Sequence, residues 1–283
     1  MLSGPFRRLG DFMILVTSAT GNIGRALVRE LHDSGHPVRA ATRSPHRAVF
    51  PSGVEVVHGD LDDPASFREA FAGVTGFLLL GAPGDVPGLL RTAARAGVRR
   101  VVLVSSLLAE THPDSVIGRG ALSGEEIVRD SGLEWTVLRP WEFASNAFWW
   151  APSIREHGSV HSHEVPEGSQ VVDPADIAAV AARALTEPGH EQRIHPLTGS
   201  ERLTVAQRVA VLSEELARPI EFVELSTEQA RQRMLRYMPA GIVEDMLSTS
   251  GKDPGVLDTV REITGAPART FRQWARRNIA AFG

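Results

Sequence analysis

The 283-residue sequence has no cysteine, which removes disulfides, thiolate metal sites and cysteine nucleophiles at once. It has one tyrosine, Tyr237, and one lysine, Lys252; every other basic side chain apart from histidine is arginine. No apolar run approaches the ~20 residues of a membrane helix. No basic start is followed by the apolar stretch of a signal peptide, so the cytoplasm is the default location. A net charge of −4 gives no electrostatic reason to expect nucleic acid or an anionic membrane as partner. What remains is an ordinary globular composition, 42% hydrophobic and 23% charged, long enough for one large domain or two modest ones.

The apolar run from Phe12 to Thr17 predicts a buried parallel strand, and residues 1–11 before it fit no periodic pattern. Ile23, Leu27, Val28 and Leu31 share one helical face, which predicts a helix from Asn22 to Ser34 that Gly35 ends. Further strands are expected at 37–42, 54–58, 76–80, 100–104 and 135–138, with helices near 64–72, 86–96 and 121–131. This alternation predicts an α/β fold: a doubly wound parallel Rossmann sheet with a smaller, mainly helical C-terminal subdomain. After Pro140 the rhythm changes. Residues 141–170 read as irregular, 171–185 as a short strand and a helix, and 193–197 as one more strand. Helices are expected near 204–217, 226–238 and 268–281. The division that follows is an extension 1–11, a nucleotide domain 12–145 to which 171–198 returns, and a substrate subdomain of 146–170 and 199–283.

The first strand runs directly into Thr17-Ser18-Ala19-Thr20-Gly21-Asn22-Ile23-Gly24 and then a helix. A tight turn of small residues lets the backbone approach a pyrophosphate, and the helix start aims free N–H groups at it. At the end of the second strand an acid would bond the ribose 2′-hydroxyl of NAD, and an arginine would take the 2′-phosphate of NADP. The sequence offers Ala41-Thr42-Arg43-Ser44, with His46 and Arg47 after it, which favours NADP(H).

Other residues carry competing readings. His157, His161 and His163 cluster, and on a strand the last two would share a face. No acidic partner is fixed beside them, so no metal site is assigned; His161 or His163 remains a candidate general acid. Asp173-Pro174-Ala175-Asp176 reads as a helix cap with proline at the first helical position. Trp141, Phe143, Phe148, Trp149 and Trp150 form either an apolar wall for an aromatic or polyketide-like substrate, or packing between the sheet and the C-terminal helices or a dimer contact. Glu142 and Asn146 are the nearest polar groups to orient a substrate. Ser105 ends a strand where open α/β sheets bind ligands, and lacks the setting of a hydrolase nucleophile. Its expected role is to bind a carboxamide or a substrate carbonyl, and with water and the loop histidines it is a candidate to deliver the proton.

ILVTSATGNIG, VRAATRSP, VVHGDLDDPASFREAFAGV, GVRRVVLVSS, SGLEWTVLRP, VVDPADIAAVAARAL, HPLTGSERLT and the ending TGAPARTFRQWARRNIAAF, in this order and spacing, resemble the NmrA-like branch of the atypical short-chain dehydrogenases from about Phe12 to Phe282. The resemblance implies Gly21 and Gly24 on the pyrophosphate, Arg43 on the 2′-phosphate, and Asp60 and Leu61 beside the adenine. It places Leu80, Gly81 and Ala82 along the ribose, and Ser105, Pro140 and Trp141 at the nicotinamide end. Two departures stand out. Ser18 replaces the family's glycine at the first turn position. Leu122 and Glu126 stand where the wider superfamily has its proton-donating tyrosine and the lysine four residues on. The function implied is an NADP(H)-dependent reductase of a small apolar carbonyl, quinone or enone that works without that pair. The alternatives are a non-catalytic NADP(H) sensor and a non-redox isomerase or cyclase. The oligomeric state stays open.

Overall fold

The computed structural model describes residues 13–248 and 253–283. The N-terminal extension 1–11, Phe12 and Lys252 lie outside them. The chain divides into two compact units. The first comprises 13–105, 121–138 and 178–195, and the second 106–120, 139–177 and 196–283. Sequence reasoning places 106–120, 139–145, 171–177 and 196–198 with the nucleotide domain; the compact units count them with the second.

The first unit is built on β1 (Met13–Val16), β2 (Val38–Thr42), β3 (Glu55–His58), β4 (Val74–Leu80), β5 (Arg100–Val104), β6 (Glu134–Pro140) and β8 (Arg193–Leu197). They form one sheet in the order β3-β2-β1-β4-β5-β6-β8. Every pair from β3 to β6 is parallel. The helices α1 (Asn22–Asp33), α2 (Phe67–Ala70), α3 (Val86–Arg95), α5 (Val116–Arg129) and α7 (Pro174–Thr186) connect successive strands. The division between units falls inside α5, α7, β6 and β8. Strand β1 is unbroken apolar sequence because both its faces are covered: Ile14, Leu15 and Val16 are fully buried. The core beneath it holds Phe67, Phe71, Phe77, Leu89 and Val101, and Phe71 meets Phe77 edge-on at 5.1 Å. Strand order reverses at β1, with β2 on one side and β4 on the other. That switch point is where such sheets bind nucleotides.

The second unit has its own core of Ile154, Val160, Val209, Leu212, Phe271, Trp274 and Phe282. It contains α4 (Leu108–Thr111), α6 (Ala151–His157), β7 (Ser159–Ser162), α8 (Val205–Glu215), β9 (Glu221–Glu224), α9 (Thr227–Met234), α10 (Ala240–Ser248), α11 (Thr259–Thr264) and α12 (Phe271–Asn278). The segment 141–170 is therefore not irregular. It carries a 3-10 turn at 144–150, helix α6, and strand β7, which pairs in parallel with β9. The expected strand at 171 is only a bridge between Phe143 and Val172. Three helices, α8, α9 and α12, open on full capping boxes at Thr204, Ser226 and Thr270. Asp173 caps α7, accepting from the Ala175 amide at 2.9 Å, as the Asp-Pro pattern predicts. Both acids of that motif also take an arginine from beyond α11. Asp173 pairs with Arg277, and Asp176 with the guanidinium and, at 2.7 Å, the amide of Arg269. Burial pushes the Asp176 carboxyl up from its usual range, and Arg269 pulls it back. Among the described residues no helix is long and apolar enough to cross a membrane.

Candidate functional site

The turn after β1 is built for close approach. Thr17 is fully buried, and its Oγ1 donates to the Leu78 carbonyl at 2.7 Å, tying the turn to β4. The Ser18 carbonyl accepts from the Gly21 amide at 2.9 Å, and the Ala19 amide donates to Ala41 of β2 at 3.2 Å. Ser18, Thr20, Gly21 and Asn22 are exposed, whereas Ile23 and Gly24 are buried. A Cβ added at Gly24 would stand 2.4 Å from the Ser18 carbonyl oxygen and 2.8 Å from the Ala19 Cα. Helix and strand thus meet at a distance only glycine allows. Helix α1 begins with no side-chain cap and no acid in its first turn. Its first amides and the positive end of its dipole face outward uncompensated, the arrangement that receives a pyrophosphate. The residues fit a dinucleotide.

Ser18 sits at φ +49°, in the left-handed region that glycine occupies without strain. The serine found in place of the family glycine is therefore accommodated at a cost, not by a different turn. Ser18→Gly is expected to raise stability by roughly 0.5–1 kcal/mol, the ~1–2 kcal/mol relief of left-handed strain less the entropy glycine adds to the unfolded chain. A denaturation midpoint that falls would show that the hydroxyl contributes more than its backbone costs.

Arg43 follows β2 directly and is exposed, as are His46 and Arg47 on the short 3-10 turn behind it. None of the three side chains has a hydrogen-bond or ion-pair partner among the described residues. Asp60 folds the loop after β3 around itself: it accepts from the Asp62 amide at 3.1 Å, and its own amide donates to Ser66. Leu61 is half-buried beside it. Leu80 ends β4, and Gly81 (φ +62°) and Ala82 continue it exposed, with the Gly81 amide held by Val104 at 2.9 Å.

Ser105 follows β5 and is half-buried. Its hydroxyl donates at 2.7 Å to Oε1 of Glu125, a side chain with no exposure at all. The other oxygen, Oε2, accepts from Arg129 at 2.8 Å, and the Arg129 guanidinium lies 5.4 Å over the Trp135 ring. Sequence reasoning singled out the next residue, Glu126, which is exposed; Leu122 is half-buried on the same helix. The signal for Glu125 was helical phase, because Ala121, Gly124, Glu125 and Val128 share one face and the last three are buried.

In the second unit Pro140 ends β6 buried. Trp141 donates its indole N–H to Ser169 at 3.1 Å, and Glu142 is held by the buried Arg208 at 2.7 Å. Phe143 is half-buried, and its carbonyl accepts from the Asn146 amide. Part of the aromatic run is packing. Phe148 packs at 5.0 Å from Trp274 and 5.8 Å from Phe282, and Trp150 covers Arg208 at 5.5 Å; both are packing. Trp149 is 57% exposed. His161 lies on β7 against Ser159 at 3.2 Å, while His163 lies past the strand end, 3.4 Å from the Leu225 carbonyl. No group of three or more potential metal ligands occurs among the described residues. Tyr237 is 81% exposed.

A parallel sheet with a glycine-dependent turn and an uncapped helix at its switch point defines a dinucleotide-binding α/β protein. The NAD(P)H-binding family model matches residues 18–188, and the chain belongs to that family, among the NmrA-like atypical short-chain dehydrogenases and the NAD(P)-dependent oxidoreductases. The chain is 41% identical to the (4-alkanoyl-5-oxo-2,5-dihydrofuran-3-yl)methyl phosphate reductase of Streptomyces griseus, covering 95% of this chain and 99% of the relative. It is 36% identical to the NAD(P)H azoreductase of Xenophilus azovorans, covering 96% and 99%. An NADPH-dependent quinone oxidoreductase of Escherichia coli, solved with NADPH, superposes with a TM-score of 0.75 at 25% identity, covering 95% and 99%.

Proposed function

We propose that the protein is an NADPH-dependent reductase of a small conjugated acceptor: an enone or unsaturated lactone, a quinone, or an azo compound. The observation that carries the reading is Arg43, exposed and without a partner among the described residues at the end of β2, where an NAD-selective site would hold an acid. The relatives' names add a furanone, an azo group and a quinone. These acceptors share an electron-poor π-bond, over which the charge left by hydride addition spreads. Such substrates make small demands on a dedicated acid, which suits a chain with no tyrosine–lysine pair on α5.

When bound, the cofactor supplies the hydride. The turn 17–24 and the α1 amides would hold its pyrophosphate, and Arg43 the 2′-phosphate. Asp60 and Leu61 would border the adenine, and Gly81 and Ala82 the ribose. Trp141, Phe143 and Asn146 are proposed as substrate contacts, with Glu142 already engaged by Arg208. Water, His161 or His163 would return the proton. Stopped-flow oxidation of NADPH against a panel of quinones, azo dyes and unsaturated lactones tests the reading, and turnover of at least one class is the expected result. Tight NADPH binding without turnover of any would support the second reading, a non-catalytic sensor, which the missing tyrosine–lysine pair favours.

Tyr237→Phe is expected to leave single-turnover hydride transfer nearly unchanged, because the only tyrosine is largely exposed. General acids contribute ~10²–10⁴-fold, so a hundredfold loss with folding and cofactor binding preserved would make Tyr237 the acid.

A further inference from the structure

Sequence left Ser105 with two roles that differ in polarity: bonding a carboxamide N–H, or donating to a carbonyl. The structure separates them through a residue that neither role anticipated. The Ser105 hydroxyl has one proton, and its neighbour Glu125 is a buried carboxylate that can only accept. Arg129 pairs with the second oxygen of Glu125 at 2.8 Å and is itself braced over Trp135. The proton is therefore directed into the protein, and Ser105 shows a ligand its lone pairs. The placement is tight. Gly124, one residue earlier, lets α5 come so close to the strand β4 extension that an added Cβ would lie 2.7 Å from the Ala82 Cβ.

The sheet says which part of a ligand meets those lone pairs. Strands β2, β1, β4 and β5 are consecutive neighbours, and Arg43, the 17–24 turn, Gly81 and Ser105 follow their carboxyl ends in that order. Three strand intervals of ~4.8 Å separate the first from the last, about 14 Å. A dinucleotide with its 2′-phosphate at Arg43 and its pyrophosphate at α1 extends its remaining half across the ends of β4 and β5.

We propose that Glu125 is a positioning residue that commits the Ser105 proton, so that Ser105 meets the bound cofactor as a hydrogen-bond acceptor for the carboxamide N–H of the nicotinamide. The inference rests on the cofactor reading above. It also removes Ser105 from the proton donors, since its hydrogen is already bonded to a carboxylate.

Calorimetric titration of the whole protein with NADP and with its 3-acetylpyridine analogue tests this. The analogue keeps the ring carbonyl and replaces the amide NH₂ by a methyl group. The native protein is expected to bind NADP about two- to tenfold more tightly, the worth of one neutral hydrogen bond. Ser105→Ala should bring the ratio to one. Glu125→Gln should do the same by another route: Arg129 claims the amide oxygen, the amide NH₂ turns to Ser105, and the serine proton is released outward. A role in folding alone would weaken both ligands in parallel and leave their ratio unchanged. The inference is overturned if the native ratio is one, or if the preference survives either Ser105→Ala or a folded Glu125→Gln. Should Glu125→Gln not fold, the serine variant decides alone. If neither ligand binds the native protein, the cofactor reading falls together with this one.

Discussion

Gly24→Ala is expected to raise the dissociation constant for NADPH by more than tenfold and to lower stability by about 1–3 kcal/mol. The added methyl has no space to enter. Its nearest neighbours, the Ser18 carbonyl oxygen at 2.4 Å and the Ala19 Cα at 2.8 Å, are backbone, which cannot swing aside as a side chain can. Either α1 moves away from β1 or the Ser18 carbonyl rotates. Both displace the amides that would face the pyrophosphate. Gly120→Ala is the control. Gly120 also lies in a helix, but a Cβ there meets nothing within 4 Å, so the change is expected to stabilise by up to about 1 kcal/mol. Urea unfolding and NADPH titration of both variants provide the check. Unchanged affinity in Gly24→Ala would mean that the turn is not the pyrophosphate site.

Arg43→Ala is expected to weaken NADP binding ten- to a hundredfold and to leave NAD binding nearly unaltered. Hydrogen bonds to a charged group contribute roughly 1.5–3 kcal/mol. Arg43 has no competing partner among the described residues, so nothing is lost elsewhere when it is removed. The effect should shrink as salt is raised, because the side chain is exposed. Equal affinity of the native protein for the two cofactors would remove the basis for choosing NADP. A uniform loss for both would place Arg43 on the part they share.

The first unit was legible because its signals are local and redundant. The apolar runs of β1 and β5 admit no other buried element of that length, and Gly35 and Gly97 end α1 and the turn after α3 at positive φ. The second unit hides its order in long-range pairing. Strand β7 is only Ser159-Val160-His161-Ser162, and what makes it a strand is β9, some sixty residues on. Helix α10 gave no warning because Pro239 and Gly241 interrupt the helical pattern at its start. Glu125 escaped because it differs from Glu126 only by the hundred degrees that one residue turns a helix. At the turn the sequence showed that a glycine was missing, but only the φ of Ser18 shows that the backbone kept the glycine's conformation.

The ion pairs at the head of α7 bear on how the second unit is made. Asp173 and Asp176 emerge from the ribosome 104 and 93 residues ahead of Arg277 and Arg269. During that interval they are carboxylates without counter-ions, in a segment whose finished surroundings exclude water, and closing it early would strand two charges. The second unit is therefore expected to close only when its last residues are present, because until then Ile154 and Val160 lack the cover that Phe271 and Trp274 give them.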